Sequence, residues 1–128
     1  MGPIRSLVQL CVMGALLLGG ASGVLRAQSK GTPGKFDFYL LNLSWSPEFC
    51  LTHGTNPQCA TGDGFIVHGL WPQNDDGSYP AFCGERPGPS KPETNLDITP
   101  DLSLLAHEWE KHGTCTSLSA DDFFAAEH

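Results

Sequence analysis

The sequence predicts an α+β fold. Two short β-rich runs, residues 36–45 and 65–72, occupy its first half, and two stretches with helix-start signals, residues 99–112 and the segment after Ser119, close it. Strands grouped ahead of helices, rather than alternating with them, are what sets that class apart. With 128 residues the chain holds at most one domain.

The first residues stand outside that domain. Arg5 precedes an apolar run at residues 7–18, and Gly19, Gly20, Ala21, Ser22 and Gly23 follow it. A charged start, an apolar centre too short to span a bilayer comfortably and a small-residue stretch make a secretory signal peptide, cleaved after Gly23 or Ala27. The division expected is a leader at residues 1–27, a polar linker at 28–34 and the domain at 35–128. Cys11 leaves with the leader. Cys50, Cys59, Cys83 and Cys115 remain, and four cysteines in an exported chain read as two disulfides with three possible connectivities. No Cys-x-x-Cys pair supports a metal site instead.

Loss of Arg5 and Arg26 with the leader leaves five bases, Lys30, Lys35, Arg86, Lys91 and Lys111, against 14 acids, a net charge of −9 with histidines neutral. Such a chain has no general electrostatic footprint for a polyanion. Any attraction to nucleic acid is local and grows as histidines protonate.

Residues 36–45 are aromatic and aliphatic on both faces, bounded by Gly34 and Pro47, and read as a buried strand. Residues 50–59, with Gly54, Asn56 and Pro57, read as a loop in which His53 is an ordinary loop residue. The second strand is entered from Thr61 and Gly62 and stopped by Pro72. It carries His68 among β-formers, followed by Gly69, which lets another backbone or a ligand approach. A lone strand histidine is more often a satisfied core residue than a catalyst. Residues 73–99 are rich in Gly, Pro and Asp, and a loop of that length with Cys83 near its middle is expected to cover a site. Thr99, Pro100 and Asp101 then read as N-cap, N1 and first-turn acid of a helix ending at His112, with Gly113 as terminator. Ser119 caps the last helix, which leads into Phe123 and Phe124.

The stretch from His107 to Cys115 is the densest in chemistry: His107, Glu108, Trp109, Glu110, Lys111, His112, Gly113, Thr114, Cys115. On a helix, with His107 as origin, Lys111 falls at about 40°, Glu108 at about 100° and His112 at about 140°. All four share one half of the cylinder, while Trp109 points away from it, toward a core. Ordinary i,i+4 surface pairs are the bland reading. Two histidines flanking an acid and a lysine exceed what a solvated face needs. A zinc helix is the sharp rival, but it requires histidines at i and i+4. These stand at i and i+5, and zinc fails on geometry.

The two blocks His68-Gly-Leu-Trp71-Pro72 and His107-Glu-Trp-Glu-Lys111-His112-Gly-Thr-Cys115 resemble the paired signatures of the ribonuclease T2 family without a substitution. Ser44-Trp45-Ser46-Pro47-Glu48-Phe49-Cys50 also looks like the family's first strand and cysteine. The resemblance covers the chain from Phe36 onward and implies a central, mainly antiparallel sheet with helices packed on it, of which only the N-terminal part is present. It implies a secreted or periplasmic enzyme that cleaves RNA without a cofactor or metal, by attack of the ribose 2′-OH on the adjacent phosphorus. That chemistry needs one group to take a proton and one to give it, near working pH, and imidazole suits both. By resemblance, His112 is the general base and His68 the general acid. His107 anchors the phosphate, Lys111 stabilises the developing charge and Glu108 orients the group. Trp71, and more weakly Tyr79, offer rings for bases to stack on. The same resemblance pairs Cys50 with Cys59 and Cys83 with Cys115. RNA is the partner implied; DNA lacks the nucleophile, no membrane contact remains after leader cleavage, and the protein is expected to be a monomer. Leu104, Leu105 and Ala106 stand where the family usually has aromatic residues, which leaves base preference open. The alternative reading is a non-catalytic ribonuclease-like module whose sheet is incomplete.

Overall fold

The structure, a computed structural model, describes residues 29–62 and 64–128, so the expected leader lies outside the described residues. In chain order it contains β1 (Ser29–Lys30), β2 (Phe38–Trp45), α1 (Ser46–Cys50), α2 (Gln58–Thr61), β3 (Phe65–Gln73), β4 (Pro80–Ala81), α3 (Leu102–Lys111) and α4 (Ala120–Glu127), with short 3-10 turns at Pro92–Asn95 and Gly113–Cys115. β2 and β3 pair antiparallel from Phe38 opposite Gln73 to Trp45 opposite Phe65. β1 and β4 form a second, parallel pair. The α+β class with an antiparallel pair and helices packed on β3 agrees with the sequence reading. No helix of the described residues is long and apolar enough to cross a membrane.

The core lies where β3, α3 and α4 meet. Leu70, Leu105, Trp109, Ala120, Phe123 and Phe124 fill it, flanked by Leu96 and Leu118. Trp109 and Phe123 meet edge-on at 5.7 Å. A fully buried side chain of this size contributes about 1.5–3 kcal/mol over an exposed one, so these rings hold the molecule together more than the strand pair does. α4 starts where Ser119 accepts a hydrogen bond from the Asp122 amide, as its sequence promised.

Several expectations need correction. β2 is not buried: Leu40, Leu41, Leu43 and Trp45 are 45–50% exposed. Among the described residues β3 alone pairs with it, and α3 and α4 pack on β3 instead. Residues 29–34 are tied to the domain rather than free of it, through the β1–β4 pair and a bond from the Gly34 amide to the Cys115 carbonyl at 2.8 Å. The 50–59 loop runs between α1 and α2 and is closed by the Cys50–Cys59 disulfide, so only its two ends are helical. The helix cap is Asp101, whose carboxylate accepts from the Ser103 and Leu104 amides. Thr99 is not the cap because its hydroxyl donates to the Val67 carbonyl at 2.7 Å, on β3. Gly113 opens a 3-10 turn instead of ending α3 in the left-handed region; glycine is needed because a methyl there would run into the Trp109 ring.

The long loop lies over the C-terminal end of α3. Cys83 is bonded to Cys115, and the Phe82 amide donates to the Lys111 carbonyl at 2.9 Å. Arg86 stands over the Trp109 ring at 5.2 Å and donates to the Thr116 and Leu118 carbonyls. Its guanidinium is thereby committed to holding the loop.

Candidate active site

The site begins with an irregularity in β3. Asn42 is opposite Gly69 and Leu43 opposite Val67, so the register skips His68. An extra residue of this kind bends a strand and re-aims its side chain, which is why bulges recur beside active sites. The outer edge of β3 is pinned on both sides of the bulge. The Val67 amide donates to the Ile98 carbonyl at 2.8 Å, and the Leu70 amide donates to Glu127 Oε1 at 3.1 Å.

Facing this bulge is Glu108 of α3, which is only 2% exposed. Trp71 Nε1 donates to its Oε2 at 2.6 Å. His68 Nε2 lies 3.5 Å from its Oε1, and His112 Nε2 lies 4.0 Å from its Oε2. Gly69 is a glycine for a reason the sequence only half suggested. The group that comes close is neither backbone nor ligand but this carboxylate, and a Cβ at Gly69 would collide with it.

His112 sits one residue past α3, as its C-cap, still bonding through its amide to the Glu108 carbonyl. Its ring is 1% exposed, and neither ring nitrogen has a hydrogen-bond partner among the described residues. The Trp71 indole stacks on it at 4.8 Å and 15°, with the Tyr79 ring 6.4 Å away. Lys111 Nζ stands 6.0 Å from the Trp71 ring, against which its charge is favourable. His107 is exposed and, with His68, lines a cavity of about 290 Å³ that runs past Ser44, Asn56, Asp101 and Leu104. The structure therefore gathers His68, Glu108, His112, Trp71 and Lys111 closely, with Tyr79 at the edge and His107 at the cavity mouth.

Burial sets the protonation chemistry. It lowers the His112 imidazole to about 3, and the neighbouring Lys111, His107 and His68 charges add to the fall. Burial also holds His68 below its ordinary value, again helped by His107 and Lys111. Glu108 moves the other way: burial raises it, against the Trp71 hydrogen bond and the Lys111 charge. A neutral imidazole can accept a proton and a charged one can give it. Two such rings around one carboxylate make a pair for general acid–base work.

Residues 36–127 match the Ribonuclease T2 family. The chain belongs to that family. It is 47% identical over 98 residues to a ribonuclease of Aeromonas hydrophila, an alignment that covers 75% of this chain and 45% of that one. To ribonuclease DdI of Dictyostelium discoideum it is 35% identical, over 79% of this chain and 49% of the relative. Among solved structures, RNase NT in complex with 5′-AMP superposes with a TM-score of 0.60 at 28% identity, over 72% of this chain and 54% of the other. The chain spans about half the length of the relatives it matches.

Beyond the two ribonuclease T2 blocks, the structure gives supporting roles to Glu127, which no motif marks, and to Thr99, which reads in the sequence as a helix cap. Thr99 and Glu127 hold β3 from outside. A single acid closing the apolar run Phe123-Phe124-Ala125-Ala126 was the one visible hint of Glu127.

Proposed function

We propose that this protein is a secreted or periplasmic, metal-independent endoribonuclease that cleaves single-stranded RNA. The ribose 2′-OH attacks the adjacent phosphorus, the 5′-oxygen leaves, and the 2′,3′-cyclic phosphate so formed is hydrolysed to a 3′-phosphate end. His112 takes the 2′-OH proton and His68 gives one to the leaving oxygen. His107 holds the phosphate, Lys111 meets the charge that gathers on its free oxygens, and Glu108 keeps the two rings in place. Trp71 offers a ring on which a base stacks. DNA, without a 2′-OH, is not cleaved. The working enzyme is a monomer, free of membrane contact once the leader at residues 1–27 is removed.

The observation that supports this reading best is that one buried carboxylate, Glu108, lies against both His68 and His112. The test is release of cyclic phosphate from RNA by the purified protein near pH 5, resistant to EDTA and lost in His112→Ala. A chain that binds RNA and releases none is the non-catalytic module instead. The bareness of β2 is what favours that second reading.

A further inference from the structure

We propose that Glu127 is a positioning residue for the cleavage described above, holding the backbone between His68 and Trp71 where α3 can use it. The inference rests on that reading of the site but on different atoms. Glu127 ends α4 and is 8% exposed, and its Oε1 accepts the Leu70 amide proton at 3.1 Å, 57 residues away in sequence. Leu70 stands between the two residues that touch Glu108 most closely. Gly69 lies against its carboxylate, and Trp71 donates to it. A shift of the Leu70 amide moves both. On the far side of the bulge Val67 is fixed by Ile98 and Thr99. His68, which no β2 residue faces, is thus held between Val67 and Leu70, and Glu127 supplies the second of these anchors.

A backbone carbonyl would satisfy one amide equally well. A carboxylate adds a charge that titrates, and here burial pushes Glu127 up to about 7, with Glu108 of α3 adding to the rise. β3 presents the Leu70 amide to it. The neighbouring His128 is engaged elsewhere, by Asn95 Oδ1 at 3.3 Å and Asp97 Oδ1 at 3.8 Å. Glu127 is therefore neutral in acid, where the proposed base and acid work. Near neutrality it places a second negative charge beside Glu108.

Amide-resolved NMR of the full chain tests the contact without RNA. The Leu70 amide should titrate with a midpoint near 7 in the wild type, and that titration should vanish in Glu127→Gln, whose amide oxygen still accepts the bond. Glu127→Asp keeps the carboxyl group but is one methylene short. It should displace the Trp71 indole and Leu70 amide signals while the rest of the spectrum stays native. In RNA cleavage near pH 5, Glu127→Asp should lower kcat about tenfold or more with KM within about two-fold, and Glu127→Gln should restore it. A Leu70 amide that does not titrate overturns the proposal, as does a folded Glu127→Asp with wild-type kcat and an unmoved Trp71 indole. A wild-type chain that titrates as described yet cleaves nothing removes the cleavage role as well, and that result is told apart from loss of the contact by the indole shift.

Discussion

Trp71 donates its indole N–H to Glu108 across 2.6 Å, and that carboxylate is the one His68 and His112 both approach. The same indole covers the His112 ring. One side chain therefore satisfies the buried acid and shields the proposed base. Trp71→Phe separates the two tasks, since it keeps an aromatic face and removes the donor. A buried carboxylate left without its partner costs about 1–3 kcal/mol, so urea unfolding should register a loss of that size. Glu108 should also titrate higher than in the wild type, because the bond that opposes its rise is gone. Unchanged stability together with an unchanged pH profile would sink this account.

Gly69→Ala tests the closeness of β3 and α3. Its methyl group would occupy the space of the Glu108 carboxylate, which is flanked by Trp71 Nε1 and cannot retreat freely. Displacing a reacting group by about 1 Å costs on the order of a hundredfold in rate. The expected result is a folded protein, by circular dichroism, with kcat down about a hundredfold. Wild-type turnover would show that the carboxylate position is not critical.

The pH dependence follows from two opposed shifts. His112 has to be neutral to accept a proton, and its fall to about 3 keeps it so through most of the acid range. His68 has to be charged to donate, and it loses its proton below the ordinary 6.5. The profile of kcat/KM should therefore rise through about 3 and fall before 6.5. Stability obeys the same signs. Between 6.5 and about 3 the unfolded chain binds the His112 proton that the folded one refuses, so that contribution is full above 6.5 and lost as pH falls toward 3. Glu127 does the reverse: the folded chain keeps its proton between 4.5 and about 7, so its contribution is full below 4.5 and lost as pH rises to 7. Each slope is about 1.4 kcal/mol per pH unit. The two slopes oppose each other where they overlap, between 4.5 and 6.5. Glu127→Gln should leave stability rising with pH in that window, and His112→Gln should leave it falling. Parallel curves for both variants would refute the assignment.

The site was more legible in the sequence than the strand it stands on. His107, Glu108, Lys111 and His112 announce themselves because a helix turns local spacing into spatial neighbourhood, and His68 and Trp71 stood in a recognisable block. That a bulge singles out His68 was invisible, since it depends on how β2 pairs with β3. The cap at Asp101 was misread because Thr99, an equally good cap by type, is claimed by β3 through the Val67 carbonyl. Glu127 was missed for the same reason: its partner lies 57 residues away. β2 is apolar on both faces, but burial is decided by what packs on a strand, and β3 is the only strand paired with β2 among the described residues.

The two disulfides should differ in what their loss removes. Cys50–Cys59 closes 9 residues and Cys83–Cys115 closes 32. Loop entropy alone gives about 2.6 and about 3.7 kcal/mol respectively, a modest difference. Position separates them further. Cys115 is fully buried at the end of the turn that follows His112, and the loop it anchors bonds to the Lys111 carbonyl through Phe82. Cys83→Ala should therefore reduce RNA cleavage more than Cys59→Ala when the two are compared at temperatures where both remain folded. Equal losses would mean that the loop does not support the catalytic end of α3.

The bare strand predicts behaviour in solution. Leu40, Leu41, Leu43 and Trp45 are about half exposed on β2, and Phe65 beside them is 66% exposed, its ring 4.7 Å from that of Trp45. An apolar edge strand of this kind invites pairing with another chain unless something covers it. The chain from Gln28 should bind ANS and, above the concentrations at which it works as a monomer, sediment faster as its concentration rises. Leu41→Lys combined with Leu43→Glu should suppress both effects. Because these side chains are already half in water, the pair should change Tm little, as surface substitutions do, within about 0.5 kcal/mol each. A fall in Tm of many degrees would instead show that β2 is covered in the molecule as it exists, and the monomer proposed for the working enzyme would then owe its solubility to that cover.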